Sequence, residues 1–193
     1  KWYAGYIGTA NSSGIVNGVG SGKFNPDGTI TRQEAAAMVA RAAKLCGLDN
    51  LQVLEQGGVG AQGVPYGIGR IGTLSMPVPM SDYLQLLKGS LEPNGMRYVD
   101  AGRRVYKVAV GGGSCGSMME QVVRAGCDTF VTGDLKYDHF LDAKLMGLNL
   151  IDAGHYPTED PSMAVLGYQI AKAFPEVLVK KSELHHEVLE YRA

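Results

Sequence analysis

Short apolar runs alternate with amphipathic segments over the second half of the chain. The apolar runs are rich in valine, isoleucine and aromatic residues, which favours strands, and the segments between them have helical periodicity. The predicted strands are "MRYVD", "VYKVAV", "DTFVTGD", "LNLIDAG" and "EVLVKKS". The predicted helices are "SMMEQVVRAG", "DHFLDAKLMG" and "TEDPSMAVLGYQIAKAF". This alternation predicts βαβ units, and therefore an α/β fold with a mainly parallel sheet.

The first part of the chain has a different pattern. In residues 1–48, "WYAGYIGTA" and "TRQEAAAMVARAAKL" are predicted helices joined by a loop rich in glycine and asparagine. Thr31 and Glu34 have the spacing of a capping box, which marks the start of the second helix. The apolar core of such a helix-loop-helix is too small to be stable alone. We therefore predict a small unit over 1–48 and an α/β unit over 49–193, with strands in "NLQVLEQ" and around Gly69 to Leu74.

Composition and charge narrow the function classes. The chain has 193 residues, 45% of them hydrophobic, and a net charge of −1 with no basic stripe, which argues against nucleic acid as a main partner. No apolar run is long enough to span a bilayer, and the first residues lack the pattern of a signal peptide. The three cysteines, Cys46, Cys115 and Cys127, are an odd number without metal-type spacing. They are typical of reduced thiols, so we expect a cytoplasmic location.

Three predicted strands are followed by polar or glycine-rich loops. These loops are "GGGSCGS" after Val110, "TGDLKYDH" after Val131 and "DAGHYPTE" after Ile151. In open α/β sheets, ligands bind outside the carboxyl ends of the strands, so the three loops are expected to meet there.

The stretch "GHYPTE" contains a candidate metal-binding pair. Tyr156 precedes a proline and is therefore expected to be extended, and Pro157 suits the first helical position. His155 and Glu159 can then reach one point beyond the strand end. An imidazole and a carboxylate together suit Zn, Fe or Mn. Two alternatives stay open: Glu159 as a favourable charge at a helix start, and His155 as a hydrogen-bonded loop residue.

The stretch "GGGSCG" has three readings. Its glycines, Gly111, Gly113 and Gly116, match the spacing of a dinucleotide-binding loop between a strand and a helix. The loop could also bind an anion at the helix start, or simply make a tight turn. Gly113 and Ser114 are therefore candidate substrate-contacting residues. Cys115 could be a nucleophile at a helix start, but a small loop residue is the preferred interpretation.

Other polar residues of these loops could support a ligand site. Asp134, His139 and Asp152 are candidates for acid–base, supporting or substrate-binding roles, whereas Asp138 could cap the following helix. His185 and His186 are adjacent, so their side chains would point to opposite faces of a strand, and we interpret them as tail residues.

The first 48 residues resemble one S-layer homology repeat. The resemblance rests on the Trp2 start, the Gly14-Ile15-Val16 turn, Phe24-x-Pro26 and the Ile30-Thr31-Arg32-x-Glu34 helix start. It implies attachment to bacterial cell-wall polysaccharide, usually with three copies acting together. Arg32 takes the position that contacts the acidic polymer, and Trp2 is a second candidate contact. A single copy stands here.

The remainder resembles the carboxyl-terminal half of the NIF-three-like family, whose members carry the name GTP cyclohydrolase type-2 homologue. The motifs are "YGIGRIGTL", "VAVGGGSCGSMM", "DTFVTGDLKYDH" and "LIDAGHYPTE", in this order. The resemblance implies a three-layer fold, a hexameric assembly and two divalent metal ions suited to hydrolysis. The histidine and glutamate of the family's GH-x-x-TE motif map onto His155 and Glu159.

The same resemblance implies further metal ligands in an amino-terminal half. They are a His-His pair in an "HHP"-like stretch and an aspartate further on, and no such stretch precedes residue 60 of this sequence. We therefore expect a divalent-metal-binding, hydrolase-like protein with an incomplete metal site and an unknown small-molecule substrate. The alternatives are a surface-anchored module that binds cell-wall polymer, or an inactive fusion fragment.

Overall fold

The computed structural model describes residues 43–59 and 65–192. These residues form six strands and five helices, together with a short 3-10 turn at Gly116–Met118 and a helical stretch at residues 43–45. In chain order the elements are β1 Asp49–Val59, β2 Pro65–Val78, α1 Met80–Leu91, β3 Arg97–Val99, β4 Val105–Val110, α2 Met119–Arg124, β5 Thr129–Thr132, α3 Tyr137–Met146, β6 Asn149–Asp152, α4 His155–Glu159 and α5 Pro161–Ala173.

The sheet is mixed, with strand order β1-β2-β4-β5-β6-β3. Only β4, β5 and β6 are parallel neighbours, whereas β1 and β2 pair antiparallel with each other, β2 pairs antiparallel with β4, and β3 with β6. The α/β class is confirmed, but the expectation of a mainly parallel sheet is wrong. Only five residues separate β1 from β2, which is too few for the crossover that parallel neighbours need, so the two strands pair antiparallel.

Helices cover both faces of the central strands, which confirms three layers. On one face, α1 packs through Tyr83 and Leu87 against alternate strand residues such as Val108 and Ile151. On the other face, residues of α2 and α3 pack against the strand residues between them. Those strand residues are Ala109, Phe130 and Leu150. Both sets are buried because successive side chains of a strand point to opposite faces, and here each face has a helical layer.

The last predicted strand, "EVLVKKS", is absent from the structure. Residues 175–192 contain no regular element and run back over the surface. They are tied down by Lys181 to Asp160, by the Tyr156 hydroxyl donating to the His185 carbonyl, and by Asn94 donating to the Leu189 carbonyl. The sheet already ends at β3, which takes the edge position that a seventh strand beside β6 would need.

Two further expectations concern membrane spans and the amino-terminal unit, and the described residues bear only on the first. No helix in residues 43–59 and 65–192 is long and apolar enough to cross a bilayer. Trp2, Arg32 and residues 1–42 of the helix-loop-helix predicted over 1–48 lie outside the described residues. The boundary predicted near residue 48 stays a prediction.

Candidate functional site

The loops after β4, β5 and β6 meet at one edge of the sheet, as their positions predict. The amide of Gly113 donates to the Thr158 hydroxyl at 2.9 Å, and the amide of Gly133 donates to the Gly113 carbonyl at 2.8 Å. A side chain at Gly133 would lie 2.7 Å from the backbone of Gly154. Glycine is therefore required where the second and third loops touch.

His155 lies between two carboxylates at this edge. Its Nδ1 is 2.6 Å from Asp134 Oδ2, and its Nε2 is 3.1 Å from Glu159 Oε2. The helix α4 begins at His155 itself, so His155 and Glu159 are four residues apart on one face of a single turn. The side chains of all three residues are about half exposed, at 47% for His155, 54% for Glu159 and 50% for Asp134.

The two carboxylates change the electrostatics of the imidazole. The hydrogen bond to Asp134 is the main cause that raises the pKa of His155. Burial, the second-largest effect, lowers this pKa, and the charges of Glu159 and Asp134 raise it. A concentration of negative charge around one imidazole is the environment that a bound cation would neutralise.

Gly113 leaves the space that the pair occupies. A Cβ at this position would lie 2.4 Å from Glu159 Oε1 and 3.1 Å from His155 Cε1. Its backbone also has a φ of +64°, a conformation that other residues adopt with strain. Gly113 therefore contributes shape to the site rather than a functional group.

Thr158 holds the loops together, and sequence reasoning did not single it out. It is buried, and its hydroxyl accepts from the Gly113 amide while lying 2.8 Å from the Gly154 carbonyl and 2.9 Å from that of His155. Its place between Pro157 and Glu159 in the motif was the available signal. A hydroxyl was needed there because the Gly113 amide, once buried, requires an acceptor.

Asp152 has a structural position rather than an exposed one. It is buried, its Oδ2 pairs with Arg97 at 2.5 Å and accepts from the Leu135 amide, and its Oδ1 accepts from the Gly154 amide. The Arg97 guanidinium in turn lies 5.3 Å from the centre of the Phe140 ring. Asp152 thus shapes the loops that carry the site.

The other polar candidates are spread around the edge. His139 accepts the Lys136 amide at Nδ1 and packs its ring against Gly116. Ser114 is exposed on the first loop. Neither His139 nor Ser114 forms a hydrogen bond with Asp134, His155 or Glu159, and their functional roles stay predictions.

The geometry of "GGGSCG" favours a tight turn over a phosphate-binding loop. The amide of Gly113 is already used by Thr158, and the amide of Cys115 donates to the Thr132 hydroxyl at 3.1 Å. The following helix α2 has only six residues and is preceded by a 3-10 turn. Amides committed within the fold are not free to bind phosphate, so the dinucleotide reading loses its physical basis.

Cys115 has the environment of a resting thiol. Burial is the main cause that raises its pKa, and its Sγ donates to the Gly112 carbonyl at 3.4 Å. A raised pKa lowers the fraction of reactive thiolate, in agreement with a small loop residue.

The carboxyl-terminal segment borders the site. A groove of about 980 Å³ lies between α5 and residues 179–189, and His155 and Glu159 are among the residues that line it. His185 stacks edge-on against Tyr156 at 5.3 Å between ring centres. His185 and His186 are therefore tail residues, as predicted, but the tail lies next to the site.

Within the described ranges, no group of three or more histidine, cysteine, aspartate or glutamate side chains is arranged to hold a metal ion. Asp134 and Glu159 contact opposite edges of the His155 ring, so they do not converge on one point. His155 and Glu159 remain the adjacent pair of potential ligands.

Comparison with known families identifies the chain. The model for Duf34/NIF3 (NGG1p interacting factor 3) matches residues 32–188, which is well over half of the sequence. The chain belongs to this family. The match includes all the described strands and the three loops that carry the candidate site, so the predicted resemblance is confirmed.

Relatives in this family have the name that the motifs suggested. The chain is 42% identical over 91 residues to the GTP cyclohydrolase 1 type 2 homolog of Bacillus subtilis, and 32% identical over 128 residues to that of Listeria innocua. These alignments cover 47% and 66% of this chain but only 24% and 31% of the relatives. The chain thus spans about a quarter to a third of the relatives it matches.

Solved structures confirm the fold. A Bacillus cereus protein related to NIF3 superposes with a TM-score of 0.69 at 20% identity, over 80% of this chain and 70% of that one. A Staphylococcus aureus hypothetical protein gives 0.68 at 22% identity, over 80% and 64%. At these identities the likeness concerns the fold alone.

A second family model overlaps the first. The S-layer homology domain matches residues 1–36, so the two matches share residues 32–36. The predicted S-layer resemblance is confirmed for this stretch, which lies outside the described residues.

Proposed function

We propose that this Duf34/NIF3 protein binds a divalent metal ion through His155 and Glu159 and belongs to the metal-dependent hydrolase type. The observation that carries the proposal is the adjacency of an imidazole nitrogen and a carboxylate oxygen, half exposed, at the carboxyl edge of the parallel strands. Zn, Fe and Mn all accept this pair of donors.

The separation of the two donor atoms suits a shared ion. With bonds of about 2.1 Å, two ligand atoms of one ion are about 3.0 Å apart in octahedral and about 3.4 Å apart in tetrahedral geometry. His155 Nε2 and Glu159 Oε2 are 3.1 Å apart, so an ion needs little rearrangement of either side chain. The α4 turn fixes this spacing because it places both residues on one face.

Two protein ligands leave coordination positions open for water and substrate. A divalent ion lowers the pKa of a bound water and so supplies a nucleophile for hydrolysis. The role of this chain's residues is to hold the ion, with Gly113 leaving the space and Thr158 holding the loops in register. Any further ligands, and a second ion, would come from outside the described residues or from another subunit of a homo-oligomer.

Metal titration by calorimetry, with elemental analysis after dialysis, tests the proposal. Wild-type protein is expected to bind Zn²⁺ or Mn²⁺, and His155→Ala and Glu159→Gln are each expected to lose most of that affinity. Glu55→Gln, which changes an exposed carboxylate on the edge strand β1, is the matched control and should bind normally. Wild-type protein that retains no metal after reconstitution would rule the proposal out.

The S-layer match favours a second activity on the same chain, cell-wall binding. We propose that residues 1–36 bind an acidic cell-wall polymer, with Arg32 and Trp2 as contacts. Cosedimentation with purified cell walls tests this, and Arg32→Ala should reduce the pelleted fraction. If wild-type protein stays in the supernatant, this activity is absent. The cytoplasmic location stays a prediction, and surface attachment is its alternative.

A further inference from the structure

We propose that Asp134 is a positioning residue that fixes the orientation and tautomer of His155, so that the lone pair of Nε2 faces Glu159. The inference rests on the proposed metal site and adds to it a residue from a different strand end. Asp134 contacts Nδ1 of His155, on the side of the imidazole ring opposite to the proposed ion.

The distances assign the ring proton. A neutral imidazole carries one N–H, and its two nitrogens here face two carboxylates, which only accept. The contact with Asp134 is 2.6 Å and that with Glu159 is 3.1 Å. The shorter contact is the stronger charge-assisted hydrogen bond, so Nδ1 carries the proton in the neutral ring and donates to Asp134.

This assignment leaves two acceptors facing each other. Nε2 then presents a lone pair to Glu159 Oε2, an arrangement that needs a proton shared by the two atoms or a cation bound to both. Histidines that bind metals usually donate their other N–H to a carboxylate or carbonyl, which fixes the ring and raises its basicity. Asp134 has the geometry of that partner.

The backbone holds Asp134 in place. It has a φ of +54°, in the left-handed region that residues other than glycine rarely adopt, although aspartate tolerates it better than most. On one side, Gly133 packs against the start of α4 so tightly that a Cβ would lie 2.7 Å from the His155 amide nitrogen. On the other side, the Leu135 amide is bound by Asp152. Strained residues held from both sides are frequent at functional sites.

Two variants separate positioning from stability. Asp134→Gly removes the carboxylate at a position where glycine relieves strain, so the fold should be retained. Asp134→Asn keeps an acceptor of lower strength. Asp138→Ala, an exposed aspartate on the same loop–helix junction, is the matched control.

The first readout needs no metal. An NMR titration first locates the pH above which the His155 ring is neutral, and long-range ¹H–¹⁵N NMR above that pH then reports which ring nitrogen carries the proton. We expect His155 to be protonated at Nδ1 in wild-type and Asp138→Ala protein, and to shift towards Nε2 in Asp134→Gly. An unchanged tautomer in Asp134→Gly would overturn the proposal.

The second readout is Zn²⁺ affinity. Loss of such a partner typically weakens binding by about 10–100-fold, so Asp134→Gly should fall in that range and Asp134→Asn between it and wild type. If Asp134→Gly binds like wild type while His155→Ala does not, positioning fails and the metal site stands. If wild type binds no Zn²⁺ but the tautomer shifts, the metal site fails and the positioning role stands.

Discussion

Two aspartates at the ends of neighbouring strands have opposite surroundings. Asp152, at the end of β6, is buried and is used by Arg97 and by the amides of Leu135 and Gly154. Asp134, in the loop after β5, is half exposed and contacts the His155 ring. Both residues lie at the same sheet edge.

The difference shows how a site of this kind is divided between support and chemistry. The buried carboxylate satisfies backbone amides and a cation, so it determines where the loops run. The exposed carboxylates face solvent, where a ligand can reach them. Removing a buried charged partner leaves the others unpaired, whereas exposed pairs contribute little to stability.

The largest expected effect is on stability. Asp152→Ala leaves the Leu135 and Gly154 amides without their acceptor and Arg97 without its partner, and should lower the free energy of unfolding by about 3 kcal/mol. Urea unfolding measures this. Asp142→Ala, an exposed residue of α3, is the control and should change it by less than about 0.5 kcal/mol. Equal losses of stability in Asp152→Ala and Asp142→Ala would contradict the structural role of Asp152.

Gly113→Ala should affect both stability and metal binding. Its φ of +64° costs about 1–2 kcal/mol for alanine, and the new Cβ displaces Glu159. Gly102→Ala is the matched control, because Gly102 also has a positive φ, +81°, but open space around its Cβ position. Zn²⁺ affinity should fall in Gly113→Ala alone, as calorimetry would measure. If Zn²⁺ affinity fell in both Gly113→Ala and Gly102→Ala, the contact between the new Cβ and Glu159 would not be the cause.

Glu159→Gln should leave stability almost unchanged. The pair with His155 is half exposed, so its loss should alter the free energy of unfolding by less than about 1 kcal/mol. Metal affinity should nevertheless fall strongly, which measures the contrast with Asp152 directly. If Glu159→Gln lost much stability but kept its metal affinity, Glu159 would be a structural residue and not a metal ligand.

The buried cysteine thiols should make the stability of the protein depend on pH. Burial is the main cause that raises the pKa of Cys46 to about 12 and of Cys127 to about 11, from 9.0. Because these pKa values are raised on folding, their contribution to stability is complete below about pH 9 and is lost as pH rises towards 11 and 12. Urea unfolding between pH 8 and pH 10, a range that includes the ordinary thiol pKa, should show the free energy of unfolding beginning to fall.

Reaction with a thiol reagent in native protein provides a second check of burial. The partly exposed Cys115 should react before Cys127 and Cys46, which are 2% and 0% exposed. Cys46→Ser and Cys127→Ser variants identify the slow phases. Rapid reaction of all three would contradict the packing.

Part of this architecture could be predicted from the sequence. The parallel strands β4, β5 and β6 and the helices between them follow from local periodicity, and the meeting of their loops follows from parallel topology. The antiparallel neighbours β1, β2 and β3 depend on long-range pairing, which periodicity does not encode. The tail "EVLVKKS" has the apolar content of a strand but finds the edge beside β6 already paired with β3.

The residues of the site could be predicted from the sequence, but the separate roles of its carboxylates could not. His155 and Glu159 were recognisable from their spacing, and Asp134 and Asp152 both stood out as strand-end carboxylates. Their different roles depend on burial and on partners distant in sequence, such as Arg97 for Asp152. Those partners are brought together only by the strand order of the folded sheet.

The most direct test of the central claim is anomalous X-ray diffraction from crystals grown with Zn²⁺. The claim predicts one strong peak about 2.0–2.2 Å from His155 Nε2 and from a Glu159 carboxylate oxygen, on the side of the ring away from Asp134. The same crystals of His155→Ala should lack that peak. A wild-type map with no anomalous density between His155 and Glu159 at saturating Zn²⁺ would contradict it.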